Sequence, residues 1–306
     1  MADEDADSDA DMDGGGEAVS IDHRSDVDVF GLLANETRVE ILRALGEQPD
    51  TPLSFSELQD RTDVRDSGNF NYHLDQLLGT FVRKDDDYEL TLAGRHIVGA
   101  IHAGTYTADA RVEPIALDWD CLLCGGEMIA EYADERGKIR CRDCGKGAEF
   151  SFPPGTLDQF DREALPAAFG RWLRTLAQRE LAGFCIICAG RTTSEIARLP
   201  GGTEADPKPS MVSFDCDRCG TTSTISGTSF VTYHPSVEGF FFDHGYDTFE
   251  GHPTRVWSQL DRFESEILSE DPPRIRVFFE DDGERISAEI TADASIRNVN
   301  RQRLEP

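Results

Sequence analysis

The sequence predicts a multidomain α+β chain, and three patterns carry that reading. Apolar side chains recur at helical spacing through residues 26–102, interrupted near the end by a short pair of strands. All eight cysteines fall in CxxC pairs beyond residue 120. The last third alternates apolar and polar residues at strand period, from Arg274 to Phe279 and again from Arg285 to Ile290.

Residues 27–34 and 36–45 read as amphipathic helices, the second capped by Asn35 and turning Val39, Ile41, Leu42 and Leu45 inward. Ser54 followed by Glu57 is a capping box that starts another short helix. Residues 67–82, SGNFNYHLDQLLGTFV, carry Phe70, Leu74, Leu77, Leu78 and Phe81 along one helical stripe. The other face holds Ser67, Asn69, Asn71, Tyr72, His73 and Gln76, short or planar groups suited to base edges and phosphates. Two short helices, the second exposing amides and hydroxyls, make a helix-turn-helix pattern. FVRK (81–84) and YELT (88–91) flank the acidic turn Asp85 to Asp87, which predicts a hairpin in the position of a wing. Residues 92–102 then close as a helix.

That order, together with the motifs LANETRVEIL (33–42), NYHLDQL (71–77) and FV (81–82) leading into LT (90–91), resembles the winged helix-turn-helix of ArsR-like bacterial and archaeal repressors. The resemblance implies a DNA-binding domain over 26–105, with helix 66–79 in the major groove. Asn69, Asn71, Tyr72 and Gln76 would read bases beside His73. Ser67, Arg61 and Arg65 would hold phosphates, and Arg83 and Lys84 would reach the flanking backbone. It also implies a homodimer on double-stranded DNA. The alternative is an adaptor that docks on transcription machinery, since winged helices also bind proteins. The metal-sensing branch of the family carries thiolates before the recognition helix, but 54–63 has no cysteine. His96 and His102 therefore read as solvated or core side chains.

Charge bears on the same question. The formal net charge is −29, and residues 66–79 contain Asp66 and Asp75 but no Lys or Arg. In dilute buffer that opposes DNA binding, because phosphate neutralisation dominates affinity. Only four of the 30 basic residues are Lys, namely Lys84, Lys138, Lys146 and Lys208. This balance resembles a salt-in halophilic archaeon, whose molar salt shortens the Debye length to roughly 3 Å. Recognition there rests on hydrogen bonds and shape, which a neutral, amide-rich helix supplies. The acidity read simply as a solubility device says nothing about partners.

The acidic tail, 1–25, is expected to be disordered and lacks the apolar core of a signal peptide. No stretch approaches 18 continuous apolar residues, which predicts a cytoplasmic protein.

The cysteine pairs are Cys121/Cys124, Cys141/Cys144, Cys185/Cys188 and Cys216/Cys219. In a cytoplasmic chain such pairs predict tetrahedral thiolate sites for Zn²⁺. Gly125, Gly145 and Gly220 follow their knuckles, where a tight turn brings backbone N–H groups to the sulfurs. The third knuckle departs, since Ala189 follows Cys188. These motifs resemble zinc ribbons. Two structural sites are expected, because four protein thiolates leave no open position for catalysis; a thiol- or metal-responsive switch is the alternative. Sequence neighbours share a metal by default, although pairing 121/124 with 216/219 is also open.

The first ribbon spans 113–155, with strands at 128–132 and 138–140. A helical connector, 156–184, carries Phe160, Leu165, Phe169, Trp172, Leu173, Leu176 and Leu181 in a stripe interrupted by Pro166. It serves either as a dimer helix or as a strut on the ribbons. Residues 185–306 form a second ribbon-containing α+β domain, with an insert at 199–202 and 207–209. Strands are expected over 221–233, including Ile225, Phe230 and Val231. An aromatic cluster follows (Phe240, Phe241, Phe242, Tyr246, Phe249, Trp257), either core or ligand pocket; an effector would bind near His234, His244 and His252. Val256, Leu260, Phe263 and Ile267 fit a helix by spacing, with strand open. A hairpin over 274–290 and a strand over 295–300 complete the chain. No nucleophile elbow, phosphate loop or open metal site is present in the sequence, so no enzyme is expected. Altogether the sequence reads as a transcriptional regulator, a repressor, with structural ribbons.

Overall fold

The computed structural model describes residues 21–121, 123–198, 210–246 and 263–304. The chain divides into two compact units, Met1–His102 and Ala103–Pro306. Most of the acidic tail, the 199–209 insert, Phe249, His252, Val256, Trp257 and Leu260 lie outside the described residues.

The first unit runs α1 (Asp26–Gly31), α2 (Glu36–Gly46), α3 (Phe55–Asp60), α4 (Ser67–Leu77), β1 (Val82–Lys84), β2 (Tyr88–Leu90) and α5 (Leu92–His102). Each of the first four helices starts at a side-chain cap. Asn35 accepts from the Arg38 N–H, and Ser54 and Glu57 close the expected capping box. The helix expected over 27–34 ends at Gly31, and Leu32 to Ala34 form a turn. The helix expected over 66–79 runs from Ser67 to Leu77, because Leu78 is extended and bridges Val82 while Gly79 takes φ +74°. Asp66, which looked like a charge opposed to DNA, is its N-cap and accepts from the Asn69 N–H at 2.6 Å. Ile41, Leu42, Leu45, Leu58, Phe70, Leu74, Leu77, Phe81 and Val98 make one core. Leu78 is only partly buried, and Phe81 reaches the core from beyond the helix.

β1 and β2 pair antiparallel, with Arg83 opposite Glu89. Leu53 joins the hairpin through two backbone bonds to Tyr88, at 3.0 and 2.9 Å. At Gly94 an added Cβ would lie 2.1 Å from the Phe81 carbonyl oxygen, so only glycine lets α5 approach the hairpin this closely.

The second unit opens with an antiparallel sheet ordered β3 (Val112–Asp120), β4 (Glu127–Ala133), β5 (Arg136–Cys141) and β6 (Gly147–Ser151). Asp134 and Glu135, at φ +55° and +61°, turn β4 into β5. The helix α6 (Leu165–Leu181) lays Leu165, Phe169 and Leu176 on Phe150 and Phe152 of this sheet. Pro166 does not interrupt that helix: it occupies the first turn, where its missing N–H costs nothing. Within the chain, the connector thus packs on the first sheet.

A three-stranded sheet follows: β7 (Thr192–Arg198), β8 (Ser210–Cys216) and β9 (Thr222–Ser226). The strand expected across 221–233 ends at Ser226, whose hydroxyl caps α7 (Gly227–Thr232) by accepting from the Ser229 N–H. Phe230 and Val231 are thus buried helical residues. Next come α8 (Pro235–Asp243) and the sheet β10 (Phe263–Glu270), β11 (Pro273–Asp281), β12 (Glu284–Ile290) and β13 (Ile296–Arg303), in that order. Phe263 and Ile267 sit on β10 rather than a helix, opposite Phe279 and Ile275, where cross-strand packing outweighs the 3.6-residue spacing. Phe240 and Phe241 are fully buried against Phe279, while Phe242 is exposed. Among the described residues, no helix is long and apolar enough to cross a membrane.

Candidate metal centres

The eight cysteines gather as two groups of four, Cys121, Cys124, Cys141 and Cys144, and Cys185, Cys188, Cys216 and Cys219. Sequence neighbours therefore share a site, and the interleaved pairing is not formed. All eight thiols are free. In the first group the Cys121–Cys144 and Cys124–Cys141 sulfurs are 3.7 and 3.5 Å apart. The second group repeats this, with Cys185–Cys219 at 3.7 Å and Cys188–Cys216 at 3.5 Å. A tetrahedron with metal–sulfur bonds of roughly 2.3 Å has edges of about 3.8 Å. The two groups thus have the dimensions of tetrahedral metal sites.

All four knuckles are the same turn. The first cysteine carbonyl accepts from the N–H four residues on: Gly125, Gly145, Ala189 and Gly220, at 2.8, 3.1, 3.1 and 3.0 Å. Each of those four residues has positive φ, between +54° and +71°. Ala189 adopts the conformation that the other knuckles give to glycine. Gly190 beside it is fixed differently. An added Cβ there would come within 3.1 Å of the Cys188 sulfur, which already accepts from the Gly190 N–H.

Four thiols held this close cannot all ionise unaided. Cys141 is drawn down to about 7, chiefly by the Cys144 backbone N–H. For Cys124 the Gly126 N–H favours the thiolate, but the neighbouring Cys141 and Cys144 sulfurs outweigh it and push the thiol up to about 12. In the second group the Thr221 hydroxyl and N–H draw Cys219 down to about 6. Cys188, favoured by the Gly190 N–H but opposed by Cys219, is pushed up to about 11. A dication held by the four sulfurs would supply the missing counter-charge.

The expected DNA contacts all lie in the first unit. Asn69, Asn71, Tyr72 and Gln76 are exposed on α4. Two of the face's groups already have partners: the Ser67 hydroxyl donates to Gln59 at 3.1 Å, and the Asn71 amide donates to Asp75 at 2.9 Å. His73 is turned inward and half-buried, with Nδ1 shielded from solvent, and sits edge-on to Tyr72. Arg61 pairs with Glu47 at 3.8 Å and Arg83 with Glu89 at 2.7 Å. Arg65 is exposed, and Lys84 lies 4.8 Å over the Tyr88 ring. His96 and His102 are exposed on α5. His234 caps α8, and His244 stacks on Phe240 at 4.1 Å.

Sequence reasoning missed Glu289, a nearly buried carboxylate bonded by Arg274, Arg276 and Asn298. Its signal was an acid at an alternating position of a strand facing two arginines on the next.

Residues 118–296 match the model of a family described as a domain of unknown function (DUF7351). Residues 26–101 match another of the same description (DUF7347). No curated protein and no solved structure matches the chain.

Proposed function

The chain belongs to the DUF7351 family, and we propose that it is a DNA-binding transcriptional regulator of a halophilic cytoplasm, acting as a repressor. In this reading α3, α4 and the β1–β2 hairpin are a winged helix-turn-helix of ArsR-like type, and two copies bind a palindromic site. The observation that carries it is the face of α4. Asn69, Asn71, Tyr72 and Gln76 stand exposed on one helix whose opposite side, Phe70, Leu74 and Leu77, is wholly buried. Amides of this kind pair bidentately with adenine in the major groove. Phosphate contacts fall to Arg65 and Lys84 first, since Arg61 and Arg83 must leave Glu47 and Glu89.

The two cysteine groups hold one Zn²⁺ each in this reading, and their role is structural. Zinc would tie the knuckle turns to the ends of the two sheets, contributing roughly 10–16 kcal/mol of apparent binding energy to folding.

A second reading has one observation in its favour. The tips of the first knuckle in each group expose aliphatic side chains, Leu123 and Ile187, as a protein-docking adaptor would. Chromatin immunoprecipitation with sequencing separates the two. Sharp peaks sharing a palindrome support the repressor; broad occupancy of promoters without a motif overturns it in favour of the adaptor.

A further inference from the structure

The two four-cysteine groups are built alike, and one position sets them apart. Both carry sulfur pairs at 3.7 and 3.5 Å. The second cysteine of each accepts an N–H from two residues on, Gly126 for Cys124 and Gly190 for Cys188. The fourth cysteines, Cys144 and Cys219, are both exposed, and each precedes a glycine at φ +71°. The next residues are Lys146 and Thr221. Their carbonyl groups accept the N–H of Cys141 and Cys216, at 2.8 and 3.0 Å, so the backbone places the two equivalently.

Their side chains differ in what they give to sulfur. The Thr221 hydroxyl lies 3.1 Å from Cys219 Sγ, and toward a thiolate it is the donor. Lys146 is exposed, and among the described residues no side chain except those of its fellow cysteines hydrogen-bonds to Cys144 Sγ. A thiolate held by a metal is already deprotonated. Its reactivity therefore depends on how freely it shares a lone pair, not on how readily the thiol ionises. A hydroxyl bonded to the sulfur ties up a lone pair and weakens its attack on another atom. Cys219 is shielded in this way, and Cys144 is not.

We propose that the first centre is a peroxide-responsive switch entered at Cys144, whereas Thr221 makes the second a lasting staple. This rests on the zinc reading above and stands whether or not α4 binds DNA. The Cys144 thiolate attacks one oxygen of the peroxide; the O–O bond breaks, leaving a sulfenic acid and a hydroxide. The Cys121 thiolate, 3.7 Å away, then attacks the Cys144 sulfur, displaces a second hydroxide and closes a disulfide. Two electrons pass from sulfur to peroxide, and the centre keeps only two thiolates for its metal ion. Cys185 and Cys219 have the same 3.7 Å spacing, so the two centres differ in the first step rather than the second.

Hydrogen peroxide added to the full-length, zinc-loaded protein tests it, with released zinc followed by a colorimetric chelator. One ion per chain is expected to leave roughly fivefold faster than the other, or more. Peptide mapping at the half-way point should find the Cys121–Cys144 disulfide and the second group intact. Thr221→Val keeps the side-chain shape without the hydroxyl; it should speed the slow phase roughly threefold and leave the fast one unchanged. Lys146→Thr installs the hydroxyl and should slow the fast phase, while Lys146→Val, which removes the same charge, should not. Elemental analysis before oxidation shows that each variant still holds both ions. Equal release of the two ions, a first disulfide in the second group, or a slow phase indifferent to Thr221→Val would each overturn the proposal. Protein that binds no zinc would overturn the metal reading, and this proposal with it.

Discussion

The Asn71 side-chain amide donates to the Asp75 carboxylate one helical turn later, 2.9 Å away, on the exposed face of α4. In the proposed docking the pair would occupy the Asn71 amide that reads a base and would add a negative charge beside the phosphates. Asp75→Asn releases that hold and removes the charge. Operator affinity in molar KCl should then rise, by up to about tenfold. Asn71→Ala should instead cost about 1–3 kcal/mol at the preferred site, with little change on unrelated sequence. Fluorescence anisotropy on labelled duplexes measures both, and equal affinities for the two variants would contradict the docking.

Asp66 offers a second dissection of charge from structure. Its carboxylate caps α4 through the Asn69 N–H, so Asp66→Ala should lower the stability of the first unit by about 1 kcal/mol. Asp66→Asn caps nearly as well while dropping one charge. It should keep the melting temperature and tighten DNA binding. A melting curve for Asp66→Asn that falls as far as that of Asp66→Ala would show that the charge, not the cap, does the work.

Purified protein should carry two zinc ions per chain, matching the two four-cysteine groups. Cys141→Ser should reduce this to one by elemental analysis and loosen the first sheet, since Cys141 is buried in its core. Ala189 is the one knuckle residue forced into positive φ with a Cβ, at +54°. Ala189→Gly should therefore relieve roughly 1 kcal/mol and slow zinc loss from the second group to a chelator. Faster loss would mean that the Ala189 side chain makes a contact worth more than the strain.

Acid sensitivity follows from Glu289. Hydrogen bonds from Arg276, then Asn298, hold its carboxyl down to about 2, against an ordinary 4.5. A carboxyl depressed in the folded state stabilises fully above the unfolded value and loses that contribution as pH falls. The second unit should accordingly lose stability between about pH 4.5 and 2. Glu289→Gln should be less stable at neutral pH and lose less stability across that window, although Glu284 and Asp293, whose carboxyls are also lowered by hydrogen bonds, keep some of the slope. Urea midpoints against pH decide the matter, and an identical slope in the variant would contradict it.

Where local chemistry determined structure, the sequence was a good guide. Caps at Asn35 and Ser54, the acidic turn after Lys84 and the CxxC knuckles act over a few residues, and each formed as the pattern required. Errors arose where distant partners decide. For Phe263 and Ile267 spacing left helix and strand both open, and β11 decides for the strand. Phe230 looks like a strand residue until Ser226 caps a helix in front of it. Pro166 resembles a break because a proline at the first turn and one in the middle of a helix look alike without knowing where the helix begins. His73 shared a face with the amides by spacing, but the packing of α4 turns it half inward.

The claim on which the rest turns is that an uncharged, amide-bearing helix on a strongly acidic protein recognises a DNA sequence once concentrated salt has screened its repulsion. Incubating zinc-loaded protein with sheared genomic DNA in 2–3 M KCl (about the salt at which screening length falls to roughly 3 Å or less) and sequencing the retained fragments tests it. The account predicts a small set of fragments sharing a palindromic motif, lost with Asn69→Ala and Asn71→Ala. Retained DNA whose composition equals the input would contradict it.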